Sequence, residues 1–361
     1  MIHTSSAPHI AFVAGRSGGH IVPCLTRIDA LVKRYPRYQT LFFSTDGDLD
    51  KRIIGQNEHI TYHIPLSIRP PHKASWFSYP LLLIQSCVAI VKSLYWLKRT
   101  NTHQVVTTGG YIALPVCIAA RMLRIPIELH VLDVVPGKSL NYIARLAQSI
   151  SVCFAESIAY LPKHKCFLQS YPVRFSKHDL QVSPTEARTA LGLDPNVFTL
   201  AVFGGSQGSH SLNSLIINYL TLYKDKHPQG IQIIHQTGLD ETARVMDAYN
   251  ALGIRALVFG YHHDLARIYR ACSLVVCRAG AGTLFEVEFF NLPGILVPLE
   301  TRSTMHQLDN AHAMAQKHPD RYCVIRQHEQ QVLMQTLYQN IAQRSLTDSN
   351  ISTVPTHTMS Q

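Results

Sequence analysis

Three glycine-rich stretches follow apolar runs and precede segments of helical spacing. They are Gly15 to His20, Gly204 to Gly208 and Gly280 to Thr283. Glycine lets main-chain N–H groups approach an anion closely, and the positive end of the following helix attracts phosphate. One glycine turn alone is often only a tight loop, but three at strand-to-helix junctions predict a nucleotide or nucleotide-sugar ligand.

The spacing of the first turn disfavours two common nucleotide motifs. Gly15, Gly18 and Gly19 form the pattern G-x-x-G-G, which matches neither a P-loop nor the G-x-G-x-x-G of a dinucleotide site. ATP hydrolysis and hydride transfer both lose support. Asp46 follows the second predicted strand, where a dinucleotide enzyme has its ribose-binding acid, but without the glycine fingerprint this role is disfavoured.

The composition is that of a folded protein of two domains. The chain has 361 residues, of which 46% are hydrophobic and 16% charged, enough to bury two cores. The net charge of +10 is spread along the chain, which fits phosphorylated ligands or an anionic membrane as well as it fits RNA. Because the chain has no run of five or six basic residues of the kind typical of a nucleic-acid tail, we predict no nucleic-acid partner. The eight cysteines and twenty histidines have no metal-type spacing, so no metal site is predicted and a reduced cytosolic compartment is favoured.

A strand–turn–helix unit occurs twice, beginning at His9 and at Phe198. This repetition predicts two α/β domains with parallel sheets. The further strand candidates are YQTLFFST, HQVVTTGG, IPIELHVLD, IQIIHQTG, ALVFGY, SLVVCRAG and GILVPL. A polar, proline-punctuated stretch from Leu168 to Asn196 marks the boundary, and we assign residues 1–173 and 174–330 to the two domains.

Several motifs along the chain resemble the MurG family of N-acetylglucosaminyltransferases in the same order. They are AGRSGGHIVPCL, TTGGYIALP, PIELHVLDVVPGKSLN, YPVR, FGGSQGSHSLN, VVCRAGAGTLFEVEFFNLPGILVPL and MHQLDNA. The resemblance covers roughly residues 8 to 340. It implies a GT-B glycosyltransferase, in which two Rossmann-like domains with parallel sheets face a central cleft. It also implies that the helix at 331–345 returns to the N-terminal domain. The final segment has little apolar surface to bury, so we predict a loose tail at 346–361.

The resemblance implies a UDP-GlcNAc donor held mainly by the C-terminal domain. The helix facing its diphosphate has the contact positions Ala281, Gly282, Thr283, Leu284 and Phe285, and Glu286 stands where the family holds the ribose hydroxyls. Further donor positions are Arg174, Ser206, His262 and Gln307. Hydroxyl, guanidinium and amide groups suit phosphate, uracil carbonyls and sugar hydroxyls. A helix cap for Ser206 and a surface salt bridge for Arg174 are the alternatives.

The resemblance also implies the acceptor and the reaction. The 4-hydroxyl of MurNAc in undecaprenyl-pyrophosphoryl-MurNAc-pentapeptide (lipid I) displaces UDP with inversion, which gives lipid II for peptidoglycan synthesis. Ser17, Gly18 and Gly19 form the N-terminal wall of the cleft, and His20 lies beside the reacting centre. A histidine titrates near neutrality, so we predict His20 as the general base. A structural histidine is the alternative, and His130 is the other candidate base.

The scheme needs no metal and no cofactor, because helix dipoles and Arg174 would stabilise the departing UDP. The lipid acceptor implies a peripheral protein at the cytoplasmic face of the cell membrane. The apolar segment Trp76 to Arg99 would dock there, with Lys92, Lys98 and Arg99 meeting anionic lipid. Its run of about twelve apolar-rich residues is shorter than the roughly 20 of a membrane span. A core helix of the first domain is the alternative, and one helix can do both.

The chain departs from the family mainly in the acceptor half. Where the family has H-E-x-N, this chain has Val131 and Asp133, and the family's asparagine after P-G aligns with Leu140 unless a shift brings in Asn141. Arg16 replaces a small glycine. An aliphatic side chain cannot hold a proton. Two alternatives therefore stay open, a related transferase with a changed lipid or phosphorylated acceptor and a non-catalytic nucleotide-sugar-binding relative.

Overall fold

The structure is a computed structural model that describes residues 7–15, 18–69, 78–205, 208–227, 230–301 and 304–351. Side chains are described for these residues except 78–79 and 345–351. The chain divides into two compact units, Met1–Arg174 and Phe175–Gln361. The division falls one residue beyond the boundary expected from the sequence.

The first unit is a parallel sheet whose described strands have the order β3-β2-β1-β4-β5-β6-β7. Its strands are β1 His9–Val13, β2 Gln39–Thr45, β3 Tyr62–Leu66, β4 Thr102–Thr107, β5 Ile127–Val131, β6 Ser149–Val152 and β7 Cys166–Leu168. Its helices are α1 Gly18–Arg34, α2 Asp48–Ile54, α3 Ser78–Arg99, α4 Ala113–Met122 and α5 Lys138–Leu146. Short 3-10 helices lie at Ala155–Tyr160 and Lys163–Lys165.

Both faces of this sheet are covered, which explains its continuous apolar strands. Along β1, Ile10 and Phe12 join a core with α1 and α2, whereas Ala11 and Val13 join a core with α3, α4 and α5. Because successive side chains of a strand point to opposite faces, a strand buried on both sides is apolar at most of its positions.

The second unit is also a parallel sheet, whose described strands have the order β10-β9-β8-β11-β12-β13. Its strands are β8 Thr199–Phe203, β9 Gln232–Gln236, β10 Ala256–Phe259, β11 Leu274–Cys277, β12 Gly294–Leu296 and β13 Tyr322–Val324. Its helices are α6 Pro184–Ala190, α7 His210–Tyr223, α8 Thr242–Ala251, α9 Leu265–Ala271, α10 Ala281–Phe289, α11 His306–Lys317 and α12 Gln330–Ile351. Short 3-10 helices lie at Lys177–Leu180, Lys224–Lys226 and Leu239–Glu241. All strand runs expected from the sequence are present.

Helix α3 has one buried and one exposed apolar face. Ala89 and Leu97 are buried in the core of the first unit, whereas Leu83 and Val91 are each 66% exposed. Among the described helices, α3 has the length and apolar composition of a membrane crossing, over Pro80–Arg99. The helix is longer than the apolar run counted in the sequence because Lys92 lies within it. Trp76 lies outside the described residues.

The last helix, α12, belongs to the core of the second unit over its described side chains. Leu333, Leu337 and Ile341 are buried there. These contacts do not test the expected return of residues 331–345 to the first unit, which stays a prediction. The helix continues to Ile351, beyond the expected start of a loose tail at 346, because no glycine or proline stops it before Pro355. Residues 352–361 lie outside the described part of the chain.

A buried histidine on β9 makes the stability of the second unit depend on pH. The Nδ1 atom of His235 lies 2.6 Å from the Tyr249 hydroxyl, and its Nε2 lies 3.0 Å from Asn213 Oδ1. Burial lowers the pKa of His235 to about 3. Because the unfolded chain binds this proton more readily, the stabilisation is complete above about pH 6.5 and is lost as the pH falls toward 3.

We predict that His235→Gln reduces this pH dependence. Through His235, the wild type should lose up to about 1.4 kcal/mol of unfolding free energy per pH unit below about pH 6.5. The Gln side chain does not titrate and keeps a polar partner for Asn213. Urea unfolding at several pH values between 7.5 and 5 measures the difference, with the exposed His103→Gln as control. Equal slopes for the wild type and His235→Gln would contradict this account.

Candidate functional site

Two of the glycine turns lie side by side at the carboxyl edge of the second sheet. Strands β8 and β11 are hydrogen-bonded neighbours, and Phe203 pairs with Cys277 at their last positions. The chain order reverses between these strands, and in open parallel sheets ligands bind outside the carboxyl ends at such a point. The two turns therefore form one candidate anion site.

The turn after β8 requires glycine. Gly205 and Gly208 have φ angles of +89° and +74°, and a Cβ atom on Gly208 would lie 2.0 Å from the Thr237 carbonyl oxygen. Ser209 then caps α7, its hydroxyl accepting the main-chain N–H of Leu212. The cap expected as an alternative for Ser206 is thus made by Ser209. Ser206 itself lies outside the described residues.

The turn after β11 leads directly into α10. Gly280 is the N-cap residue and makes no side-chain cap, so the N–H groups at Ala281, Gly282 and Thr283 start the helix without one. The amide of Asn310, on α11, donates to the Ala279 carbonyl at 3.2 Å and supports the turn.

The remaining residues of this helix start have different surroundings. Leu284 and Phe285 are buried, so their side chains pack in the domain. Glu286 is also buried, and its Oε2 accepts a 2.8 Å hydrogen bond from the Tyr269 hydroxyl. The Tyr269 ring stacks on Phe290 with centroids 5.1 Å apart. This packing fixes the hydroxyl and therefore the direction of the Glu286 carboxylate.

Three further residues that are predicted to contact the sugar donor lie outside these two turns. Gln307 lies in the first turn of α11, and its Oε1 accepts the Leu299 N–H at 3.0 Å. His262 follows β10, and its Nδ1 accepts the Asp264 N–H at 3.1 Å. Arg174 is exposed and is the last residue of the first unit.

His20 lies at the carboxyl edge of the first sheet. It is in the first turn of α1 together with Gly18 and Gly19, and its carbonyl oxygen accepts a 3.1 Å hydrogen bond from the Thr108 hydroxyl. Strands β1 and β4 are neighbours, so the turns after both strands meet there. Ser17 and Arg16 lie outside the described residues.

Asp133 lies on the same edge as His20, because it follows β5 and β5 pairs with β4. It is half-buried, and its carbonyl oxygen accepts the Ser157 hydroxyl at 3.0 Å. His20, Gly18, Gly19 and Asp133 thus belong to one edge of the first sheet.

The surroundings of His130 disfavour it as the alternative candidate for the general base. It is 5% exposed, its Nδ1 lies 3.1 Å from the Arg27 guanidinium and contacts the Ser151 hydroxyl, and its Nε2 lies 3.1 Å from Glu128 Oε1. Burial lowers the pKa of His130. The ring is buried and its Nδ1 is engaged inside the domain, so His130 is shielded from solvent.

The residues that depart from the family pattern in the acceptor half differ in their burial. Val131 is completely buried in the core of the first unit. Leu140 is buried against Gly109, where a Cβ atom would lie 2.6 Å from Leu140 Cδ2, whereas Asn141 is exposed. Of the two residues that could match the family's asparagine, only Asn141 has an exposed side chain.

Sequence reasoning assigned no role to three buried polar residues at the second edge. These are Tyr269, Arg278 and Asn310. Arg278 directly follows the apolar strand LVVC, and a charge at the end of a buried strand was a signal that could have been used. Tyr269 and Asn310 had no such signal. Among the described residues, no group of three or more His, Cys, Asp or Glu side chains is placed to hold a metal ion.

Both domains match glycosyltransferase family 28. Its N-terminal domain matches residues 10–152 and its C-terminal domain residues 199–353. The fold is shared with a MurG crystal structure from Acinetobacter baumannii, at 21% identity and a TM-score of 0.69 over 94% of each chain. It is also shared with a UDP-GlcNAc 2-epimerase from Methanocaldococcus jannaschii, at 9% identity and a TM-score of 0.59 over 93% of this chain and 91% of that one. The protein is a two-domain glycosyltransferase of the GT-B fold.

Two relatives extend the match over most of the chain. One from Trichlorobacter lovleyi is 30% identical over 84% of this chain and 82% of its own length. One from Anaeromyxobacter sp. is 31% identical over 83% of this chain and 76% of its own length. Both are named UDP-N-acetylglucosamine--N-acetylmuramyl-(pentapeptide) pyrophosphoryl-undecaprenol N-acetylglucosamine transferase. The chain belongs to their family, the MurG family.

We predict that Tyr269→Phe weakens ribose recognition. If Glu286 holds the ribose hydroxyls, losing the Tyr269 hydroxyl leaves its carboxylate less well oriented, and the preference for UDP over 2′-deoxy-UDP should fall roughly threefold to tenfold. Calorimetric titration of both nucleotides measures this. Tyr322→Phe is the matched control, because its buried hydroxyl has no hydrogen bond among the described residues. An unchanged preference in Tyr269→Phe would contradict the role given to this pair.

Proposed function

We propose that this protein transfers N-acetylglucosamine from UDP-GlcNAc to the 4-hydroxyl of MurNAc in undecaprenyl-pyrophosphoryl-MurNAc-pentapeptide. The reaction inverts the anomeric carbon, releases UDP and gives the disaccharide lipid used in peptidoglycan synthesis. The names of the relatives describe such a transferase. The observation that best supports it is the pair of adjacent glycine turns after β8 and β11, with Glu286 oriented beside them by Tyr269.

The donor binds at this pair of turns. Its diphosphate meets the N–H groups of Ala281, Gly282 and Thr283, where the helix dipole of α10 is positive. The carboxylate of Glu286 accepts hydrogen bonds from the ribose hydroxyls, which selects a ribonucleotide. Ser206 and the exposed cation of Arg174 add contacts to the nucleotide.

Two polar side chains read the base and the sugar. Since His262 Nδ1 accepts the Asp264 N–H, the ring proton is on Nε2, which presents an N–H donor to a uracil carbonyl. Gln307 uses its amide oxygen on the Leu299 N–H, so its NH2 group is the donor that meets sugar hydroxyls.

The acceptor binds at the edge of the first sheet. Gly18 and Gly19 start α1 with no bulky side chain, so the lipid diphosphate can approach the helix N-terminus together with Ser17. His20 takes the proton of the 4-hydroxyl as this oxygen attacks the anomeric carbon, and UDP departs with the bonding electrons. Asp133 contacts the acceptor from the same edge.

A second candidate function is transfer to a different lipid-linked or phosphorylated acceptor. It is favoured by the burial of Val131 and Leu140 in the core of the first unit, at positions where the family has polar side chains. The donor chemistry is the same in both cases, so the acceptor assay decides between them.

We predict separate losses for the two halves of the site. With radiolabelled UDP-GlcNAc and a short-chain lipid I analogue, His20→Ala should lower kcat about 100-fold or more. Glu286→Ala should raise the KM for UDP-GlcNAc roughly 10-fold to 100-fold, as expected for lost hydrogen bonds to a charged group. His103→Ala, an exposed histidine on β4, is the control and should keep full activity.

The outcomes separate the candidate functions. Disaccharide product from the wild type, with the expected losses, supports the lipid I transferase. A wild type that binds UDP-GlcNAc but leaves lipid I unchanged overturns the acceptor assignment and favours the second candidate.

We also propose that the protein works as a peripheral protein on the cytoplasmic face of the cell membrane and that α3 docks on anionic lipid. Five of its exposed apolar side chains follow one helical stripe, formed by Leu81, Ile84, Val88, Val91 and Tyr95, and the exposed Leu83 lies outside this stripe. The cations Lys92, Lys98 and Arg99 are exposed along the helix and would meet lipid headgroups. The buried face of α3 keeps the helix attached to the domain, so it lies on the surface of the membrane.

We predict that replacing this stripe with polar residues abolishes docking. Ile84→Ser with Val88→Ser and Val91→Ser should weaken binding to vesicles containing anionic lipid by roughly tenfold per side chain that enters the bilayer. Co-sedimentation with neutral and anionic vesicles measures this. The control is Leu222→Ser, an exposed leucine of the second unit. Equal vesicle binding by the triple variant and the control would refute docking through α3.

A further inference from the structure

A buried arginine lies beneath the two glycine turns of the second unit. Arg278 is the first residue after β11 and is 4% exposed. Its N–H bonds to the Phe203 carbonyl at 3.1 Å, so its backbone joins the ends of β8 and β11. Arg278 lies within the motif VVCRAGAGTLFEVEFFNLPGILVPL, but none of the roles given above uses its side chain.

The guanidinium donates hydrogen bonds to three segments at this edge. Its Nε and one terminal nitrogen donate to the Ser209 hydroxyl at 3.1 and 2.6 Å, and that nitrogen also meets Ser211 Oγ at 2.8 Å. The other terminal nitrogen donates to the carbonyls of Val297 and Pro298, at 3.1 and 3.4 Å. Gln327 Oε1 accepts a further bond at 2.7 Å.

Every acceptor around this guanidinium in the described part of the chain is neutral. They are two hydroxyls, two main-chain carbonyls and one amide oxygen. A buried cation normally has an anionic partner, because hydrogen bonds to neutral groups compensate only part of its lost hydration. The charge of Arg278 is therefore incompletely balanced by the protein.

The position of the charge makes this imbalance larger. The guanidinium bonds to Ser209, which caps α7, and α10 starts three residues after Arg278 at the same edge of the sheet. Helix N-termini are positive and favour an anion rather than a cation. Three sources of positive potential thus converge on one edge of the sheet, and a bound anion with more than one charge would balance them.

We propose that Arg278 is a positioning residue for the diphosphate of the nucleotide, holding both glycine turns in place and supplying from beneath them the positive charge that the diphosphate balances. The inference rests on the proposed donor site and deepens it. UDP has more negative charge after departure than as part of UDP-GlcNAc, so this charge favours the leaving group. Through Ser209, the same side chain also sets the direction of the N–H groups at the start of α7.

A purely structural role predicts a different response. If Arg278 only held loops together, its loss would weaken the whole nucleotide site, and uridine and UDP would lose affinity alike. If its charge serves the diphosphate, the loss should fall on UDP and spare uridine, which has no phosphate. The ratio of the two affinities is therefore the informative quantity.

The second unit contains a matched control. Arg188 is a buried arginine at the opposite ends of the same two strands. Its guanidinium donates to the Ala271 and Pro195 carbonyls, both at 2.9 Å, and to Ser273 Oγ at 2.8 Å. Replacing it removes a similar set of hydrogen bonds far along the strands from the glycine turns.

The experiment is calorimetric titration of the full chain with UDP and with uridine. Arg278→Gln and Arg278→Met remove the charge, Arg278→Lys keeps it without the forked geometry, and Arg188→Gln is the control. We expect the two neutral variants to weaken UDP about tenfold or more, with uridine changed less than about twofold, as for the loss of one nearby charge. Arg278→Lys and Arg188→Gln should keep the UDP-to-uridine ratio within about threefold of the wild type.

Each result has a defined meaning. Parallel losses of UDP and uridine in whichever neutral variant folds, or an unchanged ratio there, would overturn the role of Arg278 while leaving the donor site intact. A collapse of the ratio in Arg278→Lys as large as in the neutral variants would also overturn the charge-based role. A wild type that does not bind UDP would overturn the proposed donor site, and the role of Arg278 with it.

Discussion

The parallel pairing of β8 with β11 is the constraint on which the donor half of the protein depends. It brings two strand-to-helix turns together at one sheet edge and directs two helix N-termini to the same place. The crowding there has visible consequences. Gly208 has no room for a side chain beside the Thr237 carbonyl, and buried polar groups of Arg278 and Asn310 support the loops from below. An edge so rich in main-chain donors is suited to a diphosphate.

In the first unit, the pairing of two neighbouring strands likewise brings two turns together at one sheet edge. Pairing of β1 with β4 brings the start of α1 to the turn after β4, and the Thr108 hydroxyl holds His20 by its carbonyl oxygen. The buried His130 instead lies beside the ion pair of Glu128 with Arg27. Although burial alone would raise it, hydrogen bonds from His130 and Arg27 and the charge of Arg27 lower the pKa of Glu128 to about 2. These contacts join α1 to β5 inside the first unit.

Much of this architecture could be predicted because local patterns determine it. Apolar runs such as LAVF and LVVC, followed by glycine, indicate buried parallel strands and their turns, and these are present. Strand order, however, depends on contacts between distant segments, and so do the bonds of Arg278 to Ser209 and of Tyr269 to Glu286. Short strands such as β6 and β13 contain too few residues for a pattern. The cap of α7 is Ser209 because the turn extends through Gly208 before the helix begins, which spacing alone did not indicate.

The most direct test of this account is a crystal structure of the protein with UDP-GlcNAc. The account predicts the diphosphate within hydrogen-bond distance of the N–H groups at the start of α10 and close to the turn after β8, with the ribose hydroxyls on Glu286. A nucleotide bound elsewhere, with its phosphates away from both turns of the β8–β11 pair, would contradict the account.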